Sequence, residues 1–147
     1  LVALSGLAQP NDWVLVHDMA RPCVTLLDIM KLINDLKSHP VGGLLTAQIN
    51  ETLKTVTPDN YVGKTVDRNC YRAAQTPQMF RYGLLHDAIQ LMLQEQKMPT
   101  DEASAMEYSQ HKVLTVEGRY DNIKITRRED LTMAEVILMN QEKQRCE

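Results

Sequence analysis

The sequence predicts an α/β protein with a mostly parallel sheet. Apolar runs of strand length alternate with stretches whose apolar residues recur at helical spacing, and the opening order is strand, helix, strand. The first strand ends in a polar cluster, the place where open α/β sheets bind ligands. The 147 residues suffice for one domain with its own core.

Composition narrows the function. Hydrophobic residues make up 44% and charged residues 24%, as in an ordinary globular protein. A net charge of -3, a pI near 5.8 and the lack of an arginine-rich tract argue against a nucleic-acid partner. Mean hydropathy is -0.32, and no apolar run approaches the roughly 20 residues of a membrane span. Cys23, Cys70 and Cys146 form no CxxC pair, so neither a zinc site nor a disulfide framework is expected. A reduced, cytoplasmic setting follows, and no basic-then-apolar signal opens the chain.

The elements follow in order. The chain begins Leu1-Val2-Ala3-Leu4 without methionine, and residues 2–7 read as the tail of a helix, as expected of a fragment. Trp13–Val16 is continuously apolar, like a strand buried on both faces. Thr25 offers an N-cap, with Asp28 three residues on. Leu26, Ile29, Met30, Ile33 and Leu36 then recur at helical spacing, and Pro40 lies beyond the helix end. Gly42-Gly43 leads into a second strand over 44–49, which suggests a parallel pair with the first. Residues 52–56 and 61–66 are β-prone and flank the turn sequence 57–60, so they read as a hairpin. Its charges and few large apolar residues suit an arm outside the core. Residues 76–80 form a short extended piece. Leu84, Leu85, Ala88, Ile89 and Met92 line an amphipathic helix. Thr100 reads as the cap of another helix, with Asp101 and Glu102 in its first turn. Residues 113–116 and 123–125 read as strands. Thr126 and Glu129 form a capping box for the last helix, whose apolar face includes Leu131, Ala134 and Leu138. There is no internal repeat.

Four clusters carry chemistry, and each also has a plain structural reading. In the segment 16–22, Asp18 either holds a metal or a substrate hydroxyl, or shapes the turn with Arg21 as its partner. Arg68 either clamps a phosphate or forms a surface ion pair. Thr76 and Thr100 offer hydroxyls to a phosphate, although plain helix capping explains Thr100 as well. Lys124 sits between two isoleucines and points either to solvent or into a polar cleft. Asp121 is a metal ligand or a turn former. His39, His86 and His111 read as solvated and His17 as structural. Cys23 has no paired base, so it is not read as a nucleophile. The sequence contains no glycine-rich phosphate loop.

Taken in order, the segments VLVHDMARP, ETLK, TVDRN, TPQMF, TDEASAMEY and VEGRYDNIKITRREDL resemble the 2-C-methyl-D-erythritol 4-phosphate cytidylyltransferases of non-mevalonate isoprenoid biosynthesis. The resemblance runs from Trp13 to about Ala134. It implies a Rossmann-like, glycosyltransferase-A-like nucleotidyltransferase fold, with residues 1–147 a partial domain and 48–69 a β-hairpin dimerisation arm. It also implies a reaction: CTP and methylerythritol phosphate give the CDP-linked product and pyrophosphate, with Mg2+. Such chemistry depends on positioning and charge neutralisation. That agrees with a sequence offering cations and hydroxyls but no nucleophile with its base.

Residue roles follow from the matching motifs. Asp18 resembles the acid that meets the substrate hydroxyls near the metal, and Arg21 belongs to the same motif. Met19 and Ala20 line the nucleotide side, Met19 standing where the family usually has alanine. Thr52, Arg68 and Thr76 resemble groups that bind methylerythritol phosphate, with Thr52 and Arg68 reaching across a homodimer into the partner subunit's site. Thr100 resembles a further substrate contact. Lys124 resembles a lysine that stabilises charge at the reacting phosphates, and Asp121 an acid that helps hold the metal. Family members begin with a strand and a loop of the type P-A-A-G-x-G-x-R-M, then P-K-Q, which have no counterpart here. The resemblance therefore implies the C-terminal two-thirds of such an enzyme, in cytoplasm or plastid stroma, with no turnover by this stretch alone. Ribitol 5-phosphate cytidylyltransferase shares the scaffold and is the same-class alternative. A non-catalytic dimerisation or regulatory module is the alternative of another class.

Overall fold

The structure is a computed structural model that describes residues 2–145; Leu1, Cys146 and Glu147 lie outside the described residues. Strand β1 (Trp13–Val16), helix α1 (Leu26–Leu36) and strand β2 (Gly42–Gln48) come first. Strands β3 (Lys54–Val56) and β4 (Val62–Thr65) follow, then β5 (Arg72–Arg81) and helices α2 (Tyr82–Gln94) and α3 (Glu102–Tyr108). Strand β6 (Leu114–Glu117) and helix α4 (Arg128–Arg145) complete the order.

The main sheet runs β1-β5-β2-β6. Strands β1 and β2 each pair antiparallel with β5, and β2 pairs parallel with β6. Three of the four strands therefore share a direction, as the α/β reading expects, while β5 runs against them. The predicted neighbours β1 and β2 are not adjacent, because β5 lies between them. Only residues 76–80 of β5 were legible as extended. Its first residues, Arg72 to Ala74, are exposed and carry no apolar alternation. Pro77 is also a poor signal for a central strand, since it donates no ladder bond. The structure accommodates it with a bulge: Leu44 pairs Gln78 but Thr46 pairs Ala74.

Period-two alternation divides the core between the two faces. Leu44 and Phe80 pack with Leu85, Ala88, Met92, Ala105 and Met106 of α2 and α3. Leu45 and Met79 pack with Val116 and with Leu32 and Leu36 of α1. Two glycines let β2 enter between its neighbours. A Cβ on Gly42, whose φ is +131°, would lie 2.1 Å from the Met79 carbonyl oxygen; one on Gly43 would lie 2.1 Å from that of Leu114. Only glycine combines that φ with that approach.

Several local expectations hold. Thr25 and Asp28 form the capping box of α1, and β3 and β4 form an exposed antiparallel hairpin. Others need correction. Leu15 is 38% exposed, so β1 is not buried on both faces. Residues 2–7 begin with a 3-10 turn rather than an α-helical tail. Asp101, not Thr100, caps α3, exchanging bonds with Ser104. Asp130, not Glu129, accepts from Thr126 and Arg127 at the start of α4. Residues 123–125 are not a strand; Ile125 makes one backbone bond, to Ala20. On α4, Ala134 is buried but Leu131 is half exposed. Among the described residues, no helix is long and apolar enough to cross a membrane.

Candidate active site

The C-terminal end of β1, the bulged stretch of β5, the turn before α3 and the segment 119–125 enclose a cleft of about 410 Å³. Asp18, Arg21, Thr76, Thr100 and Lys124 all line it. Five of the ten residues singled out from the sequence thus converge from four separate stretches of chain.

The centre is an ion pair. Lys124 Nζ lies 2.7 Å from Asp18 Oδ2, with both side chains part-exposed to the cleft. The Lys124 ammonium on its carboxylate holds Asp18 below the usual carboxylate range, against partial desolvation. The charge of Arg21 adds to the effect. Asp18 is therefore ionised at neutral pH.

Thr76 is held by its neighbours. Its Oγ1 accepts from the Asp18 backbone N–H at 3.0 Å and lies 3.0 Å from His17 Nδ1. His17 Nε2 lies 3.1 Å from the Arg21 carbonyl oxygen, which can only accept. Nε2 therefore carries the proton in the neutral ring, and Nδ1 accepts from the Thr76 hydroxyl. Thr76 is left with one lone pair, the complement of a ligand hydroxyl.

Arg21 serves the wall of the cleft. Its guanidinium donates to the Asn122 carbonyl at 2.7 Å and to the Ala74 carbonyl at 3.1 Å. Burial pulls its pKa down and the Asp18 charge pushes it back up. Asn122, fully buried, donates from Nδ2 to the Thr76 carbonyl at 2.9 Å. These bonds tie the segment that carries Lys124 to β5.

The remaining predicted residues lie elsewhere. Met19 is 97% exposed beside the cleft mouth, and Ala20 contributes its carbonyl to Ile125. Thr52 is exposed just before β3. Arg68 donates to the Asn50 carbonyl and lines a separate concavity of about 160 Å³ with Asn69 and Arg72. Asp121 pairs with Arg119 and does not line the cleft, so the structure does not bring Asp18 and Asp121 together. Cys23 is fully buried; its Sγ faces the Ala134 carbonyl, and burial pushes the thiol up, as expected of an inert cysteine. Sequence reasoning missed Gln78, Asn122 and the cleft-facing Glu102, whose carboxyl burial pushes up. A polar side chain between Pro77 and Met79 in an apolar strand was the available signal for Gln78.

The profile of the family described as IspD: 2-C-methyl-D-erythritol 4-phosphate cytidylyltransferase matches residues 1–140. The chain belongs to this family. A 2-C-methyl-D-erythritol 4-phosphate cytidylyltransferase from Vesicomyosocius okutanii is 45% identical over 138 residues, covering 94% of this chain and 57% of the relative. One from Pseudomonas entomophila is 50% identical over 124 residues, covering 84% of this chain and 53% of the relative. The chain thus spans a little over half the length of these curated relatives. Solved structures agree. The cytidylyltransferase from Francisella tularensis superimposes with a TM-score of 0.80 at 40% identity, covering 89% of this chain and 61% of that one. That from Thermus thermophilus gives 0.80 at 30% identity, covering 92% and 66%. Family membership bears out both the resemblance and the fold class.

Proposed function

We propose that this cleft belongs to an enzyme that transfers the cytidylyl group of CTP to 2-C-methyl-D-erythritol 4-phosphate. The Asp18–Lys124 pair, set between Thr76 and Thr100 at the end of β1, carries the reading. An oxygen of the substrate phosphate bonds to the α-phosphorus of CTP, the bond to the bridging oxygen breaks, and pyrophosphate leaves. Lys124 neutralises charge on the phosphates, which is the main catalytic demand of such a transfer. Asp18 and Thr76 accept from substrate hydroxyls, Thr100 adds a contact, and Arg21 holds the wall. The exposed Met19 and the Ala20 backbone face the nucleotide.

Mg2+, when bound, supplies further charge neutralisation at the phosphates. Among the described residues no group of three or more His, Cys, Asp or Glu side chains could hold a metal. Asp18 still suits this ion, because Mg2+ commonly takes one or two carboxylates and leaves other positions to phosphate and water.

The arm supports a homodimer. Val56, Tyr61 and Val62 are 64–71% exposed, and Thr52 and Arg68 lie away from their own chain's cleft. In the proposed dimer those two residues enter the partner subunit's cleft. The same reading assigns the enzyme to cytoplasm or plastid stroma, as the family resemblance implies. Pyrophosphate release by the full-length protein from CTP and methylerythritol phosphate tests the reading. Release with ribitol 5-phosphate alone would move the assignment to that polyol. No release with either would favour a non-catalytic module.

A further inference from the structure

Gln78 lies on β5 at 1% exposure, behind the turn that carries Thr100. Its Nε2 donates to Asp101 Oδ2 at 2.9 Å, and its Oε1 accepts from the Ala103 backbone N–H at 2.8 Å. The orientation of the carboxamide is fixed, because a backbone N–H can only meet the oxygen. The other Asp101 oxygen accepts from the Ser104 N–H at 2.8 Å. Ala103 N–H is one of the first-turn donors that a helix cannot satisfy internally. In α3 that partner comes from another element of the fold, 25 residues away. A seven-residue helix contributes little stability of its own, so its start is placed by what holds it.

The opposite wall is referenced to the same strand. Thr76 binds the Asp18 backbone N–H through its hydroxyl and Asn122 Nδ2 through its carbonyl. One wall of the cleft is thus tied to Thr76 and the other to Gln78. We propose that Gln78 is a positioning residue that sets the width of the cleft, holding Thr100 at a fixed distance from the Asp18–Lys124 pair. This rests on Thr100 being a substrate contact.

The test uses the full-length protein with two variants. Gln78→Glu keeps an oxygen for Ala103 N–H but sets a carboxylate against that of Asp101. The double variant Gln78→Glu with Asp101→Asn restores a donor–acceptor pair across the same contact and keeps an oxygen for Ser104. Amide exchange at Ala103 and Ser104 reads the clamp, and steady-state kinetics read the cleft. The expected result for the single variant is faster exchange at both amides and a KM for methylerythritol phosphate raised roughly tenfold. The KM for CTP stays level. The double variant should return exchange and KM to within about twofold of wild type. A general loss of packing would not be rescued by the swap and would move both KM values together. Unchanged exchange in the single variant, or a folded double variant without rescue, overturns the proposal. Wild-type protein lacking any turnover would overturn the functional reading instead, and exchange in the two variants would still decide the clamp. Should the single variant fail to fold, exchange in the double variant decides it.

Discussion

The cleft and the arm use the same kinds of side chain in opposite surroundings. In the cleft, Asp18 and Arg21 are held from far along the chain. Arg21 bonds to carbonyls 101 and 53 residues away, and Asp18 bonds through its N–H to a hydroxyl 58 residues away. In the arm the bonds are local. Lys54 Nζ reaches Thr65 Oγ1 across the hairpin, Tyr61 N–H donates to Thr57, and Asn69 N–H donates to Asp67. The cleft is preorganised by distant parts of the fold, as the proposed transfer requires. The arm bonds mostly within itself and leaves Arg68 at the surface, where a bond within one chain adds little stability. The two regions should therefore fail differently: damage to the cleft shows in chemistry or in stability and, in the proposed dimer, damage to the arm shows only when copies meet.

The largest expected effect is on chemistry. Lys124→Ala should lower kcat/KM by about 10²- to 10³-fold while the melting temperature barely moves, since the side chain is about half exposed. Intact turnover in that variant would remove the cleft's claim to be the reacting centre. Next in size, Arg21→Met should destabilise the fold by about 2–3 kcal/mol in denaturant titration, because the Asn122 and Ala74 carbonyls lose a charged donor. A change under about 0.5 kcal/mol would place Arg21 with ordinary surface residues.

The arm gives the reverse pattern. Arg68→Ala should leave stability within about 0.5 kcal/mol and still reduce activity by roughly tenfold or more. Mixing it with Lys124→Ala should recover activity, since in the proposed dimer each mixed pair holds one cleft with a native lysine and a native arm. Two inactive parents with no recovery on mixing would mean that the arm serves its own chain. The smallest effect is on acid stability. The Asp18 pKa is lower in the folded chain than its ordinary value of 3.8, so the carboxylate contributes stability above that value. The contribution is lost as pH falls through the lower, folded value. Asp18→Asn should therefore lower the melting temperature at pH 7 and have a smaller effect below pH 3.8. Equal effects at both pH values would show that the pair adds no pH-linked stability.

Periodic or capped elements were legible in the sequence. Trp13–Val16, the Thr25–Asp28 capping box and the hairpin all stand where local pattern puts them. Strand β5 was half missed because Pro77 interrupts it and its first residues are polar or small. The order β1-β5-β2 was not legible, since the reversed strand comes from later in the chain than both neighbours. In the site, Asp18, Thr76, Thr100 and Lys124 stood out because each carries a charge or hydroxyl suited to a phosphate or polyol within a motif. Gln78 and Asn122 did not, because their meaning lies in contacts with Asp101 and Thr76, which local sequence does not display. The choice of Asp101 over Thr100 as cap is a near tie in propensity, and Gln78 resolves it by gripping Asp101.

The two glycines at the start of β2 act as a spacer of zero thickness. Gly42 faces Phe80 and Gly43 faces Met79, on the strand that also carries Thr76 and Gln78. A methyl group on Gly42 would press on Met79 and Phe80, next to Gln78 on that strand, whereas one on Gly43 would press on Leu114 of β6. The seat of the strand that carries Thr76 and Gln78 thus depends on two residues outside the cleft, chosen for having no side chain.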